Sequence, residues 1–140
     1  MIATILLATS LTAVAELFVI SAKSNAVAKD VTFAATLAAA KVEQLRGGAS
    51  VVPSIVNTLQ FSTDGYVDYT DANGGTLGAG TTVPEGAAFI RRWSIAPLPA
   101  TTLSVIQVVV IRHRHAGKIE ARTTRSPEEA HMVTLIRYAE

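Results

Sequence analysis

One basic cluster concentrates the side chains of this 140-residue sequence that are best suited to bind a ligand. If residues 112–115 continue a strand, Arg112 and Arg114 face one side while His113 and His115 face the other. The cluster is interpreted either as the solvated end of a hairpin or as a contact for an anionic partner, such as DNA or an acidic neighbouring subunit. The candidate anion contacts are Arg112, Arg114, Lys118 and Arg122.

Metal binding and catalysis have little support in the residue types and their spacing. A metal would need a third ligand beside His113 and His115, and His131 is the only other histidine in the sequence. The sequence contains no cysteine, and it shows no nucleophile elbow and no metal-ligand spacing. We therefore predict no catalytic residue, no metal and no cofactor, and a protein that is not an enzyme.

Three aspartates in the middle of the chain could suggest a calcium site. They lack the ligand spacing and the terminal glutamate of an EF-hand loop. Formation of turns by their side chains is the better explanation. The three residues are Asp64, Asp68 and Asp71.

The composition allows one domain and an appendage. Hydrophobic residues make up 49% of the chain and the mean hydropathy is +0.36, which is high for a fully soluble protein. The formal net charge of +1 argues against general electrostatic binding of nucleic acid by the whole molecule. The absence of cysteine excludes a disulfide framework.

The basic cluster follows the most β-prone run of the sequence. Leu103–Ile111 is continuous enough to be a central strand that is packed on one face by a helix. Residues 71–86 are rich in glycine and are interpreted as a surface loop. The other predicted strands of an antiparallel meander are residues 66–70, 88–95, 118–124 and 131–138.

A long helix is predicted to carry these strands. Residues 1–46 contain no proline and no glycine, and the Gly47-Gly48 pair that follows ends the helix. The first half is almost wholly apolar, and the second half is alanine-rich and amphipathic. The predicted organisation is an apolar half-helix over residues 1–22, an amphipathic half-helix over 23–48 and a globular β domain over 49–140.

The amphipathic half carries apolar residues every three or four positions, which is the spacing of one helix face. That face is predicted to pack on the sheet. The expected fold class is therefore α+β, with a long N-terminal helix packed by its C-terminal half on a small antiparallel sheet. The predicted packing residues are Val27, Val31, Ala34, Ala38, Val42 and Leu45.

The apolar half is interpreted as a membrane segment, and a buried core helix is the alternative. Small residues at helical spacing favour the close approach of neighbouring helices. The carboxylate of Glu16 is expected either at the boundary between membrane and water or in a pair with a charge on a neighbouring subunit. The residues predicted to pack in the membrane or between helices are Ile5, Ala8, Thr12, Ala15, Glu16, Val19 and Ala22.

Three motifs together resemble the type IV pilin superfamily. Residues 37–46 (LAAAKVEQLR) follow the apolar half-helix, residues 91–99 read RRWSIAPLP, and residues 105–110 read VIQVVV. Within that superfamily the chain is most similar to the pilus modification (PilV-like) minor pilins and to the minor pseudopilin I of type II secretion. The resemblance covers most of the chain and is weakest over residues 49–87.

The resemblance implies a structural function. Subunits of that superfamily wait in the bacterial inner membrane as single-pass proteins with a periplasmic globular domain, and they are then assembled into a filament whose core is a bundle of helices. The partners it implies are other pilins or pseudopilins, the inner-membrane assembly platform and the lipid bilayer, with minor members at the tip or priming assembly. The alternative is a membrane-anchored periplasmic module that binds DNA or another anion through the basic hairpin.

The same superfamily has a leader, a Gly-Phe processing site and a glutamate at the fifth position of the mature chain. Residues 1–4 resemble the stretch just after that glutamate, and Glu16 lies too far along the chain to replace it. We therefore expect the sequence as written to begin downstream of the true start or to be trimmed.

Overall fold

The computed structural model of the chain describes residues 2–48, 52–54, 57–113 and 129–137. In this part of the chain one long helix precedes the strands, and the α+β class predicted from the sequence is confirmed. The chain divides into two compact units, Met1–Asp30 and Val31–Glu140. The division falls within the helix, so the helical residues from Val31 onward belong to the same unit as the sheet.

Helix α1 (Ile2–Gly47) is unbroken, as the sequence predicts. Its interior has no proline or glycine to interrupt the backbone hydrogen bonds, and alanine and leucine supply most of its helix propensity. Gly47 is its last residue and Gly48 lies beyond it. Arg46 places its charge in the last turn, where the helix dipole favours a cation, and lies 3.1 Å from Glu43 in an exposed ion pair.

Antiparallel strands form a single sheet in the unit Val31–Glu140. The strands in the described residues are β1 (Val67–Thr70), β2 (Thr76–Ala79), β3 (Phe89–Pro97), β4 (Leu103–Arg112) and β5 (Glu129–Arg137). Their order across the sheet is β2-β1-β3-β4-β5. Strand β4 pairs with β3 on one side and with β5 on the other, so the prediction of an interior strand over Leu103–Ile111 is confirmed.

Strand β2 lies inside the stretch predicted as a surface loop, and that prediction is wrong for Thr76–Ala79. The turn before it is built by Asp71, whose Oδ1 accepts hydrogen bonds from the backbone N–H groups of Asn73 and Gly75, each at 2.8 Å. Gly74 takes the positive φ of 88° that this tight turn requires. Gly74 and Gly75 therefore belong to a hairpin turn, and Gly78 belongs to its strand.

The β1–β3 pairing agrees with the predicted consecutive strands 66–70 and 88–95, and the unpredicted β2 pairs with the outer edge of β1. The predicted meander is wrong at one place. The position beside β4 that the sequence assigned to residues 118–124 is occupied by β5. Residues 118–124 themselves lie outside the described part of the chain.

The core of the unit Val31–Glu140 lies between helix residues 31–47 and one face of the sheet. Alternate residues of β3 and β4 point toward the helix, and alanines on the helix let the two backbones approach closely. Fully burying one Val or Leu side chain contributes about 1.5–3 kcal/mol, so each large member of this layer stabilises the unit by an amount of that order. The buried members are Ala34, Leu37, Ala38, Val42, Phe89, Trp93, Ile95, Ile106, Val108, Val110 and Ala130.

The opposite face of the sheet is covered in part by the segment that precedes β1. The backbone N–H of Ser54 donates to the carbonyl of Ile95 at 2.9 Å. The guanidinium of Arg92 donates to the Gln60 carbonyl and, at 3.2 Å, to the Ser62 hydroxyl. The two bonds from Arg92 give this buried side chain its partners, and together with the Ser54 bond they hold the segment against β3.

Candidate functional site

The unit Met1–Asp30 exposes an apolar surface that no part of the unit covers. Residue 7 and residues 10–26 are all exposed. A soluble helix normally turns one polar face to water and one apolar face to a core, whereas this one is apolar all round. The exposed large apolar side chains are Leu7, Leu11, Val14, Leu17, Phe18, Val19 and Ile20, between 51% and 73% exposed.

By length and composition this helix is long and apolar enough to cross a membrane. The sufficiently apolar stretch lies within Ser10–Gly47, and none of that stretch is buried in the structure. A core helix of a soluble protein would pass the same composition test but would be mostly covered by its own chain. In the structure no described side chain of the apolar half is buried.

The seven residues predicted to pack in the membrane or between helices all lie in α1. Five of them have described side chains, and each is exposed: Thr12, Ala15, Glu16, Val19 and Ala22. Ile5 and Ala8 belong to the helix backbone, and their side chains lie outside the description. The predicted set thus supplies part of the exposed apolar surface.

The residues predicted to pack on the sheet differ in burial along the helix. Ala34, Ala38 and Val42 are buried in the core, and Leu45 is half-buried against it. Val31 and Val27 are half-buried. The prediction omitted Leu37, which is buried one turn after Ala34 and was recoverable from its helical spacing.

Lys41 is the second omission, and it belongs to a buried ionic cluster with Asp68 and Arg91. Asp68 Oδ2 accepts a hydrogen bond from Lys41 Nζ at 2.9 Å. The Asp68 carboxylate also accepts from Arg91 Nε at 2.6 Å and from Arg91 Nη2 at 2.9 Å. The three side chains are only 7–8% exposed. A two-pronged pair of this kind fixes the angle between guanidinium and carboxylate as well as their distance.

Lys41 has two further contacts that complete its environment. Its Nζ donates to Gln44 Oε1 at 3.2 Å and lies 3.7 Å from the ring centroid of Trp93. The indole face is the most favourable aromatic surface for a cation. The cluster therefore ties helix residues 41–44 to β1 and β3, and it holds no nucleophile that would suggest a reaction.

The prediction that all three aspartates form turns is wrong for Asp68. It lies within β1 opposite Arg91 of β3, on the face of the sheet that meets the helix. Asp71 does form a turn, and Asp64 is exposed. Hydrophobic periodicity missed the cluster because lysine, aspartate and arginine score as solvent-facing residues wherever they occur.

A cavity of about 370 Å³ opens beside the end of the helix in the unit Val31–Glu140. The Tyr66 hydroxyl, on its wall, donates to the carbonyl of Pro53 at 2.8 Å and is thereby held in place. The walls offer apolar contact and no pair of acid and base groups. The lining residues are Leu45, Val52, Gly65, Tyr66, Trp93 and Ile95.

The predicted basic cluster is described only at its start. Arg112 is half-buried, with its guanidinium carbon 5.8 Å from the ring centroid of Phe89. His113 is exposed, and its backbone N–H donates to the Ala88 carbonyl at 2.8 Å. The other residues of the cluster lie outside the described residues, so anion binding stays a prediction: Arg114, His115, Lys118, Arg122 and Arg125.

The described residues bring no metal-binding group together. His131 lies in β5, 3.6 Å from Glu129, and no set of three or more His, Asp or Glu side chains in the described ranges could hold an ion. Comparison of the chain with known protein families, with curated proteins and with solved structures found no match. The exposed apolar helix is the feature of the described residues that needs a functional explanation.

Proposed function

We propose that this chain is a structural minor pilin or pseudopilin that is anchored in the bacterial inner membrane and then assembled into a type IV pilus or a type II secretion pseudopilus. The observation that carries the proposal is the exposure of every side chain from Ser10 to Ala26 in an apolar helix. The motif resemblance over residues 37–46 and 91–99 supports the same assignment.

The exposed apolar surface requires a cover outside this unit. Seven large apolar side chains stand more than half exposed, and burying them gains on the order of 10 kcal/mol. Lipid supplies that gain for a helix of this length and composition. A helix bundle supplies it equally well, because the hydrocarbon of lipid tails is as apolar as leucine side chains. Transfer from membrane to filament is then nearly neutral in hydrophobic free energy.

The unit Val31–Glu140 contributes the globular part of such a subunit. Its sheet is tied to helix residues 31–47 by a buried apolar layer and by the ionic cluster at Asp68. A globular part that keeps one fixed arrangement presents the same surface in every subunit, as a repeating assembly needs. We assign this unit to the periplasm and expect other pilins and the inner-membrane assembly platform as partners. A tip or assembly-priming position is the role we propose.

A matched pair of leucine substitutions tests the proposal. Leu17 and Leu135 are both exposed, at 66% and 53%, and they lie in the apolar helix and on β5 respectively. Leu17→Asp is expected to remove the chain from the membrane fraction and from sheared filaments. Leu135→Asp makes the same change of side chain, and this variant is expected to remain in the membrane fraction and in sheared filaments. Equal behaviour of the two variants would contradict the proposal.

The same experiment distinguishes a filament subunit from the alternative, a membrane-anchored binding module. An anchored module would lose membrane association in Leu17→Asp but would be absent from sheared filaments even without substitution. Arg112 is the only residue of the predicted anion site in the described part of the chain, and it stacks near Phe89. No described observation favours that alternative.

A further inference from the structure

The turn that joins β1 to β2 contains the dipeptide Asn73-Gly74. Asn73 is exposed, and Gly74 has no side chain to shield its backbone nitrogen from the Asn73 side chain. Asparagine is one of the thermolabile residues of proteins, because the backbone nitrogen that follows it is able to attack its side-chain amide. The attack is fastest where that nitrogen belongs to glycine. The turn therefore holds a reactive pair in contact with water.

The fold itself requires glycine at position 74. Its φ is 88°, and an added Cβ would lie 3.3 Å from Leu37 Cδ2 and 3.4 Å from Phe33 Cζ on the helix. Any other residue type would be strained in this conformation and crowded against the helix. The least hindered backbone nitrogen is therefore kept beside Asn73.

The backbone nitrogen of Gly74 is also held less tightly than its neighbours in the turn. Its N–H donates to the Asp71 carbonyl at 3.2 Å, at the long end of the range for an N–H···O bond. The N–H groups of Asn73 and Gly75 donate to Asp71 Oδ1 at 2.8 Å each. The nitrogen that must leave its hydrogen bond in order to react thus gives up the weakest of these three.

The side-chain amide of Asn73 has no structural task among the described residues. No hydrogen bond in that part of the chain involves the Asn73 side chain, although its backbone N–H is bonded to Asp71. The φ of Asn73 is not positive, so the left-handed conformation in which asparagine is favoured is not used here. A reaction at the amide therefore breaks no side-chain contact.

We propose that Asn73 is a site of self-modification. The Gly74 nitrogen bonds to Cγ of Asn73, the bond from Cγ to Nδ2 breaks, and Nδ2 leaves as ammonia with the proton of the Gly74 N–H. Water then opens the resulting succinimide ring at either of its carbonyl carbons, which gives aspartate or isoaspartate. Water is the co-reactant, and the step involves no oxidation or reduction. The inference needs only this turn and water, so it does not rest on the proposed function.

Either product weakens the turn. Both products add a carboxylate near that of Asp71, which organises the turn through its Oδ1, and the two like charges repel. Isoaspartate also adds a methylene group to the backbone between residues 73 and 74, so the bonds to Asp71 do not all keep their lengths. Strand β2 is short, lies at the end of the strand order and is held to the sheet by β1. Modification therefore loosens β2.

Incubation of the full chain in detergent at mildly alkaline pH tests the proposal, since base removes the proton of the Gly74 N–H. Asn25 and Asn57 serve as internal controls, because Ala26 and Thr58 follow them. Peptide mass spectrometry locates the replacement of NH2 by OH, and fragmentation distinguishes isoaspartate from aspartate. We expect Asn73 to react at least tenfold faster than either control and to give both products. Equal rates at the three positions, or aspartate without isoaspartate, would overturn the proposal.

Asn73→Gln is the matched variant for the structural consequence. Its extra methylene moves the amide carbon away from the Gly74 nitrogen, and the amide has no described contact to lose. After incubation, the amide hydrogens of Thr76–Ala79 should exchange at least fivefold faster in the unsubstituted chain, whereas those of Asn73→Gln should keep their initial rate. Unchanged exchange in a chain whose mass shows modification would overturn the loosening of β2. Equal acceleration in Asn73→Gln would overturn the assignment to Asn73.

Discussion

Arg91 of β3 and Asp68 of β1 form a two-pronged ion pair. The arginine Nε donates to one carboxylate oxygen at 2.6 Å, and its Nη2 donates to the other at 2.9 Å. The pair lies under the helix, and Lys41 adds a second cation to the same carboxylate at 2.9 Å. One anion thus pairs with two buried cations, which leaves the cluster with a net charge of +1. The carboxylate is therefore the member of the cluster whose loss leaves the most uncompensated charge.

Replacing that carboxylate should strongly destabilise the unit Val31–Glu140. Asp68→Asn leaves Arg91 and Lys41 buried without a counter-charge, and we expect a loss of about 3–5 kcal/mol in the free energy of unfolding. Asp64→Asn, on an exposed residue, should change it by less than about 0.5 kcal/mol. Urea denaturation in detergent, followed by tryptophan fluorescence, measures both. Similar small losses in the two variants would mean that the cluster contributes little.

Removing Lys41 should cost less than removing Asp68. Lys41→Met keeps the aliphatic volume and leaves a balanced pair of one anion and one cation, so we expect a loss of about 1–2 kcal/mol. Trp93 is the one tryptophan of the chain and lies 3.7 Å from the ammonium, so its emission should shift in this variant. Lys29→Met, on an exposed lysine, is the control and should leave the emission as it is.

The close approach of helix and sheet should not tolerate a larger side chain at Ala38. This residue is fully buried, and Ala38→Leu inserts three carbon atoms into the packed layer. The expected loss in the free energy of unfolding is about 1–3 kcal/mol or more. Ala40→Leu makes the same change at an exposed position and should alter stability by less than about 0.5 kcal/mol. Thermal unfolding by circular dichroism compares the two.

The turn of the β1-β2 hairpin should require glycine at position 74. Its φ is 88°, and an added Cβ would lie 3.3 Å from Leu37 Cδ2. Gly74→Ala is expected to cost about 1–2 kcal/mol. Gly78→Ala, in β2, meets nothing within 4 Å at an ordinary φ and should be nearly neutral. Chemical denaturation of the two variants provides the measurement, and equal stabilities would show that the turn is not constrained.

The sequence predicted the elements whose patterns are local. The absence of glycine and proline before Gly47 predicts an unbroken α1. The β-branched residues of Leu103–Ile111 predict an interior strand. Strand β2 was not predicted because the glycine-rich residues 71–86 have the composition of a loop. The turn that precedes β2 depends on the side chain of Asp71. That contact spans only residues 71–75, so the Asp-Ala-Asn-Gly-Gly run was a local signal for the turn.

The ionic cluster was missed for another reason. Lys41, Asp68 and Arg91 come together only when the helix and two strands pack, and each alone resembles a solvent-facing charge. The apolar surface of residues 10–26 was visible from the sequence, and the structure adds that its own unit leaves that surface uncovered.

The central claim is that lipid, and later neighbouring helices, cover the surface that the chain itself leaves exposed. The chain has no cysteine, so single Leu17→Cys and Leu135→Cys variants of the full chain report the accessibility of one position each. A water-soluble maleimide is added to spheroplast membranes and to sheared filaments. We predict that position 17 is protected in both samples while position 135 is labelled in membranes. Equal labelling of the two positions in membranes would contradict the claim.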